Sequence, residues 1–203
     1  MTSQHDSPMP RLARLPWVLA ALAVPCLIWT STGAEATNSD PDCNGNGVSD
    51  AQDLINGDSE DLNENGVPDE CESLVANVES VSVEEGGTQD FVLNAGSDFA
   101  GYEYRVLGSS DIVDPGSQVG TVVIPLDTSD PYFATTWNDA SNSPLSDGAG
   151  ILDGEGRAAA SFEVPPETSE VLAGTEVHHA YVVFDQSGNM VYASDTTSVE
   201  LTE

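Results

Sequence analysis

The sequence predicts a mainly β chain, with a β-sandwich of Ig-like or similar type at residues 78–203 that follows a short acidic segment at residues 40–72. After residue 72, short runs rich in Val, Tyr, Phe and Thr alternate with Gly, Pro, Asp, Asn and Ser, which is typical of an all-β sandwich. No stretch has the length and 3.6-residue periodicity of a surface helix. Within the acidic segment, one twelve-residue pattern occurs twice.

The first 36 residues have the features of a secretory signal peptide. Arg11 and Arg14 precede an apolar run, Leu15–Trp29, and Ala34-Glu35-Ala36 matches an A-x-A cleavage site. The run is shorter than the about 20 residues that a membrane span needs. We therefore expect a secreted protein, extracellular or at the cell surface, with no membrane insertion after cleavage. An uncleaved anchor is the alternative.

The chain is strongly acidic. It contains 35 Asp and Glu residues against four Arg and no Lys, with a formal net charge of −31. Such a charge argues against nucleic acid and anionic membrane surfaces as partners. It is compatible with bound divalent cations or a saline exterior, although a solvated acidic surface accounts for most of it.

The repeated pattern in residues 40–72 places oxygen ligands at positions 1, 3, 5, 7, 9 and 12 and a glycine at position 6. The predicted metal ligands are Asp42, Asn44, Asn46, Val48, Asp50 and Asp53 in the first loop, and Asp61, Asn63, Asn65, Val67, Asp69 and Glu72 in the second, the valines through their backbone carbonyls. Both copies match the calcium pattern D-x-D/N-x-D/N-G-x5-E, except that the first ends in Asp.

Calcium requires this spacing because it takes about six to eight oxygens, which converge only if the backbone curls around the ion. The glycines at position 6 permit that turn without a Cβ penalty. The sequence therefore predicts two Ca²⁺ ions with dissociation constants of about 10⁻⁴–10⁻³ M or tighter. The alternative is an Asn-Gly-rich acidic linker that binds nothing specific, which the repetition in one register disfavours.

The two loops resemble the thrombospondin type 3 calcium repeat and the type I dockerin, both of which are EF-hand-like in loop pattern. A dockerin has a helix of several turns after each loop, and those helices dock onto a cohesin. Here Asn56-Gly57-Asp58 should end any helix early, so that at most one turn fits between the loops. The resemblance thus favours a compact calcium-stapled connector, and a dockerin-like module that docks a protein partner is the alternative.

Two of the three cysteines remain after signal cleavage. Cys43 and Cys71 bracket the calcium segment, and in an oxidising compartment we expect them to form a disulfide. A zinc site has little support, because no second ligand pair occurs at Cys-x-x-Cys spacing.

The β-domain is predicted to contain nine strands. They are Ser80–Val83, Asp90–Leu93, Tyr102–Leu107, Gly120–Pro125, Phe133–Trp137, Ala158–Val164, Glu176–Asp185, Met190–Ser194 and Ser198–Thr202. The sixth alternates with period two, which predicts one buried face, and the seventh is apolar on both faces, which predicts a central position. Residues 185–189 predict a hairpin loop.

Several short segments of this domain resemble a C-terminal β-domain found at the end of many large secreted proteins of environmental bacteria. They include Glu85–Phe91, Leu93–Gly96, Val123–Leu126, Gly150–Asp153 and Leu172–Gly174, with His178–Val183 at the end. That resemblance implies a β fold and export, and it implies no activity.

Catalytic chemistry finds little support. His178 and His179 are adjacent on a predicted strand, so they should face opposite sides and not share a metal. No Gly-x-Ser-x-Gly or His-Glu-x-x-His occurs. The aromatic residues that could form a sugar platform are explained more simply by packing; they are Tyr102, Tyr104, Tyr132, Trp137, Tyr181 and Tyr192. Arg105 and Arg157 are expected to form local ion pairs.

From these patterns we expect an exported acidic calcium-binding protein, not an enzyme, with an extracellular structural, adhesion or interaction role. Its expected partners are calcium and an extracellular protein or polysaccharide. A small carbohydrate-active or hydrolytic secreted protein is a further alternative, which would require a concave site with convergent acids or aromatics.

Overall fold

The computed structural model describes residues 41–139 and 144–203. The predicted signal peptide, residues 1–36, and Asp40 at the start of the loop segment lie outside the described residues. All of the described residues fall within one compact unit. Neither α-helix in this part of the chain is long and apolar enough to cross a membrane.

The chain is mainly β, as the sequence predicts. The strands in the described residues are β1 (Leu74–Ala76), β2 (Ser80–Ser82), β3 (Gly87–Asn94), β4 (Glu103–Ser109), β5 (Ile112–Val119), β6 (Val122–Leu126), β7 (Leu145–Ser146), β8 (Ala149–Ile151), β9 (Arg157–Val164), β10 (Glu176–Phe184), β11 (Met190–Ala193) and β12 (Thr197–Thr202). The helices are α1 (Asp50–Asn56) and α2 (Pro131–Asn138), with 3-10 turns at Asp69–Cys71, Ser97–Phe99 and Glu170–Leu172.

These strands form three sheets. One contains β1, β3, β9 and β7 in that order, and a larger one follows the order β2, β12, β10, β4 and β8, with β11 also paired to β10. A hairpin of β5 and β6 forms the third. The pairing of β2 with β12 is parallel and the other pairs are antiparallel.

The main hydrophobic core is shared by the two larger sheets. Phe91 of β3 and Phe162 of β9 belong to the same buried cluster as Val106 of β4 and Tyr181 of β10. Residues from both sheets therefore exclude water from one interior, which is consistent with the predicted β-sandwich.

Strand β10 is buried on both faces and pairs with β4, β11 and β12. Tyr181 and Val183 lie in the main core, whereas Ala180 and Val182 lie in a second cluster with residues of β6 and α2. The prediction of a central strand from its two apolar faces is confirmed. The predicted hairpin loop is also confirmed, since β10 ends at Phe184 and β11 begins at Met190.

The prediction of a strand at Phe133–Trp137 is wrong, because these residues lie in α2. Asp130 caps the helix, with its carboxylate accepting the amides of Tyr132 and Phe133, and Pro131 occupies the first turn. Phe133 and Thr136 are buried one turn apart, on the side that packs on β4. Capping and helical burial thus override the β propensity of the aromatic and Thr residues.

Strand β5 was not predicted from the sequence. It contains Asp114, Pro115 and Gly116, residues that ordinarily indicate a turn, and the Asp114–Pro115 peptide is cis. Its register with β6 shifts between Ile112 and Ser117. Within residues 41–139 and 144–203 the strand pairs with β6 alone, so it lies at an edge where the missing N–H of proline is tolerated.

Candidate metal centre

The first twelve-residue loop curls around the carboxylate of Asp42 at position 1. Its Oδ1 accepts the amide of Asn46 at 3.1 Å, and its Oδ2 accepts the amide of Gly47 at 3.0 Å. The Asn44 side-chain oxygen accepts the Asn46 amide at 3.0 Å, and the Asn46 side-chain oxygen accepts the Val48 amide at 2.7 Å. These bonds turn the backbone back on the side chains at positions 1, 3 and 5.

The second loop repeats this arrangement bond for bond. Asp61 accepts the amides of Asn65 and Gly66 at 3.0 and 2.8 Å. The Asn63 side-chain oxygen accepts the Asn65 amide at 3.1 Å, and the Asn65 side-chain oxygen accepts the Val67 amide at 2.7 Å. The sequence repeat is therefore also a structural repeat.

Positions 9 and 2 are joined in the same way in both loops. The Cys43 amide donates to Asp50 Oδ1 at 2.8 Å, and the Leu62 amide donates to Asp69 Oδ1 at 2.9 Å. Each position-9 carboxylate is thereby held against the start of its own loop.

Asp53, at position 12 of the first loop, is only 1 % exposed. Its Oδ2 accepts the side-chain amides of Asn44 and Asn46 at 3.2 and 3.0 Å, so the residues at positions 3, 5 and 12 converge. Its Oδ1 is buried and has no hydrogen-bond partner. Buried carboxylates are normally paired with a cation or bound to a metal, and the chain has no Lys or Arg between Leu15 and Tyr104.

Glu72 occupies position 12 of the second loop and is partly exposed. Its Oε2 accepts the side-chain amide of Asn63 at 3.3 Å and its Oε1 accepts that of Asn65 at 3.0 Å. Both oxygens of Glu72 are therefore partnered. The unpartnered buried oxygen is a feature of the first loop alone among the two.

The position-6 glycines are required by backbone conformation and not by crowding. Gly47 has φ 86° and Gly66 has φ 83°, in the left-handed region. A Cβ at either position would have no heavy atom within 4 Å. A side chain there would therefore be disfavoured only by the dihedral angle.

Short elements on either side fix the ends of the loops. Helix α1 contains positions 9–12 of the first loop and ends at Asn56, where Gly57 adopts φ 75°. Three helical residues follow Asp53, which agrees with the prediction that at most one turn fits between the loops. The second loop ends at Glu72 and is followed by Ser73 and strand β1.

The predicted disulfide between Cys43 and Cys71 is confirmed, with the two Cα atoms 5.7 Å apart. It joins position 2 of the first loop to position 11 of the second. The cysteine sulfurs and Asp50 also form a compact group of potential metal-binding atoms, all within 4.8 Å of one another. Because both sulfurs are in the disulfide, this group does not offer the thiolates that a zinc site uses.

The second loop is anchored to the sheet by a residue that the sequence analysis did not identify. Asn94, the last residue of β3, donates its side-chain amide to the carbonyl oxygens of Glu70 and Glu72 at 2.9 and 3.4 Å. The Ser73 hydroxyl oxygen also accepts the amide of Asp195 at 3.0 Å. These contacts join residues far apart in the chain, so no local pattern marks them.

His178 and His179 have different environments. His179 is fully buried, with its Nε2 3.1 Å from the Tyr132 hydroxyl and its ring beside Phe91 and Phe162. Burial, with a smaller effect of His178, lowers the pKa of His179 to about 3. The imidazole is therefore neutral near neutral pH and sits among aromatic rings as a core residue.

The aromatic residues considered as a sugar platform are all buried or partly buried. Tyr104 and Tyr181 are buried in the main cluster, and Tyr102, Tyr132 and Tyr192 pack against it. Trp137 stacks on Phe133. These side chains are thus distributed through the packing of the domain and do not form one exposed row.

Arg105 does not form the expected ion pair with any of the described residues. Its Nη1 donates to the Trp137 carbonyl oxygen at 2.7 Å, and its guanidinium lies 5.7 Å from the centre of the Phe184 ring. Arg157 lies near acids, and its charge contributes to the lowered pKa of Glu70.

No protein-family model matches this chain, and no curated protein is significantly similar to it in sequence.

Proposed function

We propose that residues 40–72 bind two Ca²⁺ ions and form a rigid connector ahead of an Ig-like β-sandwich in an exported, non-enzymatic protein with an extracellular structural, adhesion or interaction role. The single observation that carries this proposal is Asp53. Its carboxylate is buried, one oxygen has no partner, and the side chains at positions 3 and 5 converge on the other. A buried charge of this kind is costly unless an ion neutralises it.

The donor set fits calcium better than the other common metals. Each loop offers three carboxylates, two side-chain amides and one backbone carbonyl, all of them oxygen ligands. Hard oxygen donors suit Ca²⁺ and Mg²⁺, whereas zinc favours nitrogen and sulfur. Because Mg²⁺ demands a smaller octahedral shell, it should compete poorly in these loops.

The same loop geometry supports a connector over a docking module. A dockerin-like function requires a helix of several turns after each loop. The first loop has three helical residues after position 12, and the second continues through Ser73 into strand β1. A short, disulfide-linked segment of this type is suited to holding its neighbours at a fixed distance.

Calcium titration of the purified protein by calorimetry tests the proposal. We expect about two ions per chain, with dissociation constants of about 10⁻³ M or lower. Asp42→Ala and Asp61→Ala should each remove one site, because each deletes the carboxylate around which one loop curls. If both variants bind calcium as the parent protein does, the assignment of the ligands is contradicted.

A further inference from the structure

The side chain of Glu70, at position 10 of the second loop, crosses to the first loop. Its Oε1 accepts a hydrogen bond from the Asn44 side-chain amide at 3.3 Å and another from the Ser59 hydroxyl. Asn44 is the position-3 ligand of the first loop. The second loop therefore supplies a hydrogen-bond acceptor to a predicted calcium ligand of the first.

This contact orients the Asn44 amide group. The Asn44 nitrogen donates to Asp53 and to Glu70, while the Asn44 oxygen accepts the Asn46 amide at 3.0 Å. With the nitrogen held by two carboxylates, the oxygen faces the loop, as a calcium ligand must. An amide without such partners could rotate and present its nitrogen instead.

The arrangement has no counterpart in the opposite direction. Position 10 of the first loop is Ala51, which has no side-chain acceptor. The equivalent amide of Asn63 donates to Glu72 within its own loop. The bond between Asn44 and Glu70 therefore has no equivalent in the second loop.

Glu70 is itself held in place. Its carbonyl oxygen accepts the Asn94 side-chain amide of strand β3 at 2.9 Å. Its side chain is also held, because the Ser59 hydroxyl donates to Oε1. The Glu70 side chain and backbone are therefore both fixed by hydrogen bonds.

We propose that Glu70, which belongs to the second loop and is fixed by the β-sheet, is a positioning residue of the first calcium loop. This inference rests on the proposed calcium function. Outer-shell partners of metal ligands are typically worth about 10–100-fold in metal affinity.

A site-resolved calcium titration tests this proposal. The amides of Gly47 and Gly66 donate to the position-1 carboxylates of their respective loops. Their NMR resonances therefore report separately on the first and second site in the full protein as CaCl₂ is added. In Glu70→Ala, the midpoint at Gly47 should rise about tenfold, whereas the midpoint at Gly66 should stay within about twofold.

Two conservative variants separate positioning from charge. Glu70→Gln keeps the reach and the acceptor oxygen but loses the charge, so it should restore most of the affinity. Glu70→Asp keeps the charge but is one methylene shorter, so it should behave like Glu70→Ala. Glu60→Ala, which removes a neighbouring exposed carboxylate without a hydrogen bond to Asn44, is the matched control and should change neither midpoint.

The outcomes are distinct. A rise in the calcium midpoint that is confined to Gly47 in Glu70→Ala and reversed in Glu70→Gln supports the proposal. An unchanged Gly47 midpoint, or equal rises at both glycines, overturns it while leaving the calcium function intact. Absence of any calcium-dependent shift in the parent protein would instead overturn the proposed function, and this inference with it.

Discussion

Replacing Asp53 by Asn should change the calcium-free and calcium-bound proteins in opposite directions. One carboxylate oxygen of Asp53 is buried in the first loop and has no hydrogen-bond partner. An unsatisfied buried polar group costs about 1–3 kcal/mol, and more when it is charged than when it is neutral. Asn removes the charge and retains an oxygen that can accept the amides of Asn44 and Asn46. The free energy of opening of the calcium-free loop should therefore rise, by about 1 kcal/mol at the low end of that range.

Calcium affinity at the first loop should fall in the same variant. The position-12 carboxylate closes the ligand shell, and its loss removes a full negative charge from the ion. We expect calcium affinity at the first loop to fall at least about tenfold, or about 1.4 kcal/mol. Glu72→Gln is the matched control. Both of its oxygens are partnered, so calcium affinity at the second loop should fall without any stabilisation of the calcium-free state.

Two measurements read these effects. Hydrogen exchange of the Gly47 amide in excess chelator reports the opening of the first loop, and an increase of 1 kcal/mol slows exchange about fivefold. Calcium titration reports the affinity. If Asp53→Asn lowers both the protection and the affinity, Asp53 stabilises the loop without calcium, and its unpartnered oxygen is not a destabilising group.

Two further predictions concern other parts of the chain. Gly47→Ala should weaken calcium binding at the first loop about 5–30-fold, because a left-handed Ala costs about 1–2 kcal/mol and no neighbour adds a steric contribution. The matched control is Gly154→Ala, which is also in open space but has no positive φ, and it should not change calcium affinity in the same titration. Equal losses of affinity in the two variants would contradict this prediction. His179 has a pKa of about 3 when folded and about 6.5 when unfolded, so the unfolded state binds the extra proton and stability falls as pH drops below 6.5. Between pH 7 and pH 5 this amounts to about 2 kcal/mol, and denaturant unfolding at both pH values should show that His179→Gln loses this component; an identical pH dependence in both proteins would contradict it.

The features that were predictable from sequence are those set by neighbouring residues. Each calcium loop draws its ligand set from twelve consecutive residues, so its internal hydrogen bonds follow from local spacing. The two apolar faces of β10 and the turn residues after Phe184 are equally local signals.

The features that were missed depend on distant residues or on competing local signals. Helix α2 arises because the Asp130 cap and packing on β4 outweigh the β propensity of Phe133–Trp137. Strand β5 is concealed by Pro115 and Gly116, and it exists through pairing with β6. The contacts of Glu70 with Asn44 and of Asn94 with Glu70 join residues 26 and 24 positions apart, and no sequence pattern encodes them.

A calorimetric calcium titration of the parent protein measures directly whether residues 40–72 bind two calcium ions. We expect a stoichiometry of about two, which falls to about one in Asp42→Ala and in Asp61→Ala. An absence of calcium-dependent heat or spectral change at about 10 mM Ca²⁺, roughly ten times the weak end of the expected dissociation constants, would contradict it.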